Sequence, residues 1–114
     1  MLPTNSEYQL VDLFDKEKFV AETIAQINKD FAYELPPFTT VLDVNGGVVL
    51  NDLVSQLEII LREFNYSALL QSIYRIDLNE RKFNNALHAD DFSKIAYLII
   101  ERSAQKVYLR WSYK

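Results

Sequence analysis

The stretch NDLVSQLEIILREFNYSALLQSIYRI, Asn51 to Ile76, holds the longest regular apolar pattern in this chain. Within it Leu53, Val54, Leu57, Ile60, Leu61 and Phe64 fall at i, i+1, i+4, i+7, i+8 and i+11. That spacing is one face of a helix with 3.6 residues per turn, not the alternation of a strand. Asn51 is the candidate N-cap, its side-chain oxygen placed to accept a backbone N–H one turn in. Asp52 follows in the first turn, where the helix dipole favours a negative charge. Glu58 and Arg62 form an i,i+4 pair in the favourable order on the outer face.

Beyond Phe64 the stripe loses phase. Ser67, Ala68 and Gln71 fall where apolar residues would continue it, while Tyr66, Leu69, Leu70 and Ile73 start a new stripe rotated about the axis. Size points the same way. One helix over the whole stretch would be about 39 Å long, whereas a compact chain of 114 residues is only roughly 35 Å across. The reading therefore breaks the helix near Asn65-Tyr66-Ser67, with Ser67 capping a second helix that runs to about Arg75.

A chain of 114 residues is expected to form one domain, residues 1–114. Hydrophobic residues make up 49% and charged residues 25%, values that argue for a packed core and against disorder. Only two glycines and three prolines occur, which disfavours a turn-rich β-sandwich or barrel. There is no cysteine, so a disulfide framework, a thiolate zinc site and a cysteine nucleophile are excluded. MLPTNSEYQL lacks the basic and apolar regions of a secretory signal, and Ile95 to Ile100 is too short an apolar run to span a membrane. A cytoplasmic location is the resulting expectation.

Outward from the central stretch, residues 1–14 read as an extended lead-in. Asp15 then caps a first helix whose Phe19, Val20, Ala21, Ile24, Ile27 and Phe31 share a face, and Phe14 with Phe19 has hydrophobic-staple spacing. Pro36-Pro37 ends that helix. Residues 38–50 mix β-branched residues with the turn Asn45-Gly46-Gly47, which suits a short β-hairpin or an irregular loop. On the far side, Asp77 and Glu80 have capping-box spacing for a short helix to about Leu87. Asp90 or Asp91 caps the last helix. Its continuation is ambiguous, since Val107, Leu109, Trp111 and Tyr113 alternate like a strand while Ala104, Val107, Tyr108 and Trp111 prolong a helical stripe. The helical reading is preferred. The predicted fold is all-α, a small bundle of four to five helices with the optional hairpin near residues 38–50.

Motifs that carry chemistry are scarce. His88 is the sole histidine, and no Glu-x-x-His spacing precedes it, so it reads as a solvated loop residue. Asp43-Val44-Asn45-Gly46-Gly47 resembles the opening of a calcium loop of the dockerin or EF-hand type. Such a loop needs oxygen ligands at positions 5 and 12 and glycine at position 6, where this chain has Gly47, Val54 and Val48. Asp43 and Asn45 are therefore read as turn-shaping residues. Asp77 with Glu80, and Glu58 with Glu63, are carboxylate pairs of the kind used in acid–base catalysis, but each has a ready structural role. No catalytic residue, cofactor or metal is expected.

Charge is the uneven feature. Residues 93–114 carry five basic residues and one acidic, a net +4, against seven and fifteen, a net −8, in residues 1–92. Arg102, Lys106, Arg110 and Lys114 recur every fourth residue and would align on a helix. Trp and Tyr beside Arg are enriched in protein interfaces. Arg102, Lys106, Tyr108, Arg110, Trp111 and Tyr113 are thus the candidate interaction surface of a small non-enzymatic adaptor, regulator or oligomeric subunit. It would bind another protein or a second copy of itself. The same cations and rings could instead bind nucleic acid, whose phosphates attract the former and whose bases stack on the latter. That is the second reading.

Overall fold

The computed structural model describes residues 6–39 and 45–113, and among them it is all-helical. The helices are α1 (Ser6–Leu13), α2 (Glu17–Asp30), α3 (Gly46–Glu63), α4 (Tyr66–Ile76), α5 (Glu80–His88) and α6 (Phe92–Ser112). Six helices replace the expected four to five. One of them, α1, occupies most of what the sequence reading took as an extended lead-in. Its Leu10 and Leu13, with Phe14 just beyond, are buried and give an eight-residue helix a reason to persist that its length alone would not supply.

The hairpin expected near residues 38–50 does not form in the described part of that range. Gly46 to Leu50 is the first turn and a half of α3, with Val49 and Leu50 buried, and Phe38-Thr39 is irregular. The remaining hairpin positions, 40–44, lie outside the described residues. Asn45, not Asn51, is the N-cap, accepting from the Val48 N–H at 3.0 Å. The glycine after it is required by packing. A Cβ on Gly46 would overlap the carbonyl oxygen of Val11, because the end of α1 lies across the start of α3. Asp15, expected to cap α2, instead accepts the Gly46 N–H at 2.5 Å. Lys16 takes the N-cap position of α2 with no side-chain bond.

The break after Phe64 occurs as the phase change requires. Phe64 is extended at ψ 146°, and its ring meets Phe31 edge-on at 5.5 Å. Asn65 rather than Ser67 caps α4, accepting from the Ala68 N–H at 3.0 Å. The molecule measures 34 × 27 × 25 Å with a radius of gyration of 13.3 Å, too small for an unbroken helix through Ile76. At the far end of α4, Asp77 adopts a left-handed conformation (φ 65°). Asn79, not Asp77, caps α5 through the Lys82 N–H at 3.0 Å. Asp91 caps α6 through the Lys94 N–H, also at 3.0 Å.

The centre of the bundle is α6, which packs against each of α1 to α5. Ile95, Ala96, Leu98, Ile99, Ile100, Ser103, Ala104 and Val107 are all buried, so its first half is enclosed on several sides. The helical reading of residues 105–112 holds, and the strand alternative falls. Among the described residues no helix is long and apolar enough to cross a membrane.

Candidate interaction surfaces

Two members of the basic stripe on α6, Lys106 and Arg110, lie against α2 of their own chain. Glu22, Gln26 and Asp30 follow one another at four-residue intervals along α2 and meet α6 running the opposite way. Trp111 donates its indole N–H to Glu22 Oε1 at 3.1 Å, and its ring stands edge-on to Phe19 at 5.2 Å. Arg110 Nη1 donates to Gln26 Oε1 at 2.6 Å. Lys106 Nζ reaches Asp30 Oδ2 at 3.1 Å, and Gln26 Nε2 donates to that same carboxylate oxygen at 3.1 Å. Arg75 closes the junction from α4, donating from Nε to the Asp30 carbonyl at 2.8 Å. With 8% of its surface exposed, Asp30 has no adequate hydration. These hydrogen bonds are what allow its charge to sit there.

The six sequence-derived residues therefore divide. Arg102 is held between Gln105 at 2.7 Å and Asp77 at 3.5 Å. Lys106, Arg110 and Trp111 bridge to α2. Tyr108 is half-buried against the core. Tyr113 is exposed. Lys114, the last member of the stripe, lies outside the described residues. Within the chain, Lys106 pairs with Asp30, Arg102 contacts Asp77 at 3.5 Å and Arg110 is held by Gln26.

A different surface is open. Six positions of α4 are exposed, the uncharged Tyr66, Ser67, Leu70, Gln71 and Tyr74, with Tyr74 86% exposed, and the cationic Arg75. Arg75 at their edge is turned toward Asp30 and Ser72. Between α4 and α5 runs a groove of about 550 Å³, lined by Leu70, Ile73, Tyr74, Leu78 and Phe83 with Asp77, Glu80 and Asn84. The sequence groups Tyr66, Leu69, Leu70 and Ile73 as one apolar stripe. In the structure Ile73 and Leu69 face in, while Tyr66 and Leu70 face out. The signal that could have separated them is the i, i+4, i+8 spacing of Tyr66, Leu70 and Tyr74.

Of the residues considered for chemistry, Asp77 and Glu80 both line the groove between α4 and α5. His88 is exposed at the end of α5. Glu58 pairs with Arg62 at 3.2 Å. Among the described residues, no three His, Asp or Glu side chains converge as a metal site. Asn45 and Gly46 of the calcium-like run are the cap and first residue of α3, and Asp43 and Val44 lie outside the described residues. Comparisons with models of known families, with curated proteins and with solved structures find no match to this chain.

Proposed function

We propose that this protein is a small non-enzymatic interaction module of the cytoplasm that docks another protein on the outer face of α4. The observation that carries this reading is the uncharged, tyrosine-bearing run of Tyr66, Leu70 and Tyr74 on an otherwise charge-rich chain. Depletion of charge together with enrichment in tyrosine is the composition of interface cores. The C-terminal residues take a secondary place. Tyr113 and the exposed Arg110 can flank a partner, whereas Trp111 and Lys106 hold α6 on α2. Of the carboxylates considered for catalysis, Asp77 meets Arg102 at 3.5 Å and Glu58 meets Arg62 at 3.2 Å.

Affinity capture from native lysate tests it, using tagged wild type and a Tyr66→Ser/Tyr74→Ser variant, each with and without nuclease. The expected result is a set of nuclease-resistant partners that the variant loses. Partners that vanish with nuclease would return the function to nucleic acid, and partners indifferent to the variant would remove α4 from the interface.

A further inference from the structure

The groove between α4 and α5 has a chemistry that selects its occupant. Its floor is apolar: Ile73 and Phe83 are buried and Leu78 is half-buried. Its walls are Leu70, 39% exposed, and Tyr74. Two carboxylates line it, those of Asp77 and Glu80, and no lysine or arginine does. Arg102 reaches the Asp77 carboxylate at 3.5 Å, yet that side chain remains 81% exposed, so most of its field still faces solvent. Glu80, in the first turn of α5, is exposed.

Tyr74 is also shared with a second, shallower depression of about 430 Å³, lined by Leu70, Gln71 and Arg75. Leu70 and Tyr74 together thus form a ridge between two hollows. Such a corrugated surface accepts the ridge of a crossing helix better than it accepts a compact small molecule.

Resting on the interaction reading above, we infer that this groove binds a basic amphipathic helix of a partner protein. Apolar side chains of that helix fill the space over Ile73, Leu78 and Phe83. A lysine or arginine one turn away meets Asp77 and Glu80, with the face of the Tyr74 ring beside it. Charge complementarity argues for this occupant over a second copy of the chain, because a copy pairing through the same face would bring Asp77 and Glu80 toward their own like charges. Long-range attraction works in the same direction, since the protein carries a net charge of −4.

The test is titration of the full chain with a designed Leu/Lys amphipathic peptide of about five helical turns, followed by amide NMR shifts and calorimetry. A Leu/Glu peptide of the same pattern is the first control. Asp77→Asn/Glu80→Gln removes the groove's charges while keeping a residue that tolerates the left-handed backbone at position 77. Glu34→Gln/Asp90→Asn removes two charges elsewhere and controls for bulk attraction. The expected result is a set of shifts centred on Leu70, Tyr74, Asp77 and Glu80. Affinity should fall about tenfold in Asp77→Asn/Glu80→Gln and in Tyr74→Ser, and stay within about twofold in the remote pair. Equal loss in both charge variants, binding of the Leu/Glu peptide, or shifts away from α4 and α5 would each overturn the assignment. So would concentration-dependent self-association abolished by Tyr74→Ser, which would make the occupant a second copy. Lysate partners that depend on Tyr74 but ignore Asp77→Asn/Glu80→Gln would sink this inference alone, whereas the absence of any nuclease-resistant partner would sink the interaction reading as well.

Discussion

A methyl group on Gly46 would meet the backbone of α1 and of the residues just after it: the Val11 carbonyl oxygen, the Asp15 amide nitrogen at 2.9 Å and the Phe14 carbonyl carbon at 3.0 Å. Backbone atoms cannot swing away as a side chain can, so one helix must shift. Gly46→Ala is expected to cost about 2–3 kcal/mol, despite the better helix propensity of alanine. Gly47 is the internal comparison. Its Cβ would meet only the Asn45 side-chain oxygen at 3.2 Å and the Val11 side chain, and Gly47→Ala should change stability by less than about 1 kcal/mol. Urea denaturation of the two variants side by side checks this. Equal costs would show that α1 yields at the crossing. A second pair of residues tests the break in the long apolar stretch. Asn65→Ala should cost about 1 kcal/mol through the lost cap on α4, and Ser67→Ala, exposed and inside the helix, should stay within about 0.5 kcal/mol of wild type.

At the level of elements, the seam between α2 and α6 is where most of the polar design is concentrated. Lys106→Met should destabilise the protein by about 1–3 kcal/mol, because it leaves the nearly buried Asp30 carboxylate with Gln26 alone among its side-chain partners. Adding Asp30→Asn to Lys106→Met should recover part of that loss, since no uncompensated charge then remains. A double-mutant cycle in denaturant measures the coupling, and strict additivity would mean that the pair contributes nothing as a pair. Trp111→Ala acts on the same seam by another route. It removes the ring packed on Phe19 and should cost about 2–3 kcal/mol, with little dependence on salt. These expected costs also bear on any test of binding through the C-terminal stripe. Substituting it changes the fold's own seam, and any loss of binding would be confounded with loss of stability.

For the molecule as a whole, the enclosure of α6 by the other five helices predicts the order in which parts of it open. Amides around Ile99 and Ile100 should exchange slowest, near the limit set by global unfolding, while those of α1 and of residues 31–39 should exchange faster. Hydrogen exchange followed by mass spectrometry or NMR reads this directly. Fast exchange in the middle of α6 would contradict its central position. The dipolar distribution of charge has its explanation at this scale too. Part of the acidic excess of the body meets part of the basic excess of α6 at two places, Asp30 with Lys106 and Asp77 with Arg102.

Short-range pattern alone determined several features. Apolar spacing defined α2, the body of α3, and α4 to α6, and the loss of phase after Phe64 located the break. The spacing of Phe14 and Phe19 anticipated a contact that exists, their rings 6.1 Å apart. Caps of α3, α4 and α5 were legible in kind but not in place, with Asn45, Asn65 and Asn79 in the role expected of Asn51, Ser67 and Asp77, and the cap expected of Asp15 on α2 does not form. Tertiary structure decided the rest. The long stretch from Asn51 to Ile76 looked central because one-sided burial produces a clean stripe, whereas the apolar spacing that marks α6 as a helix does not show that it is enclosed on several sides. Whether the basic face of α6 met solvent, a partner or its own α2 depended on which helices became neighbours. Periodicity records that a face exists. Only the packed chain records what lies against it.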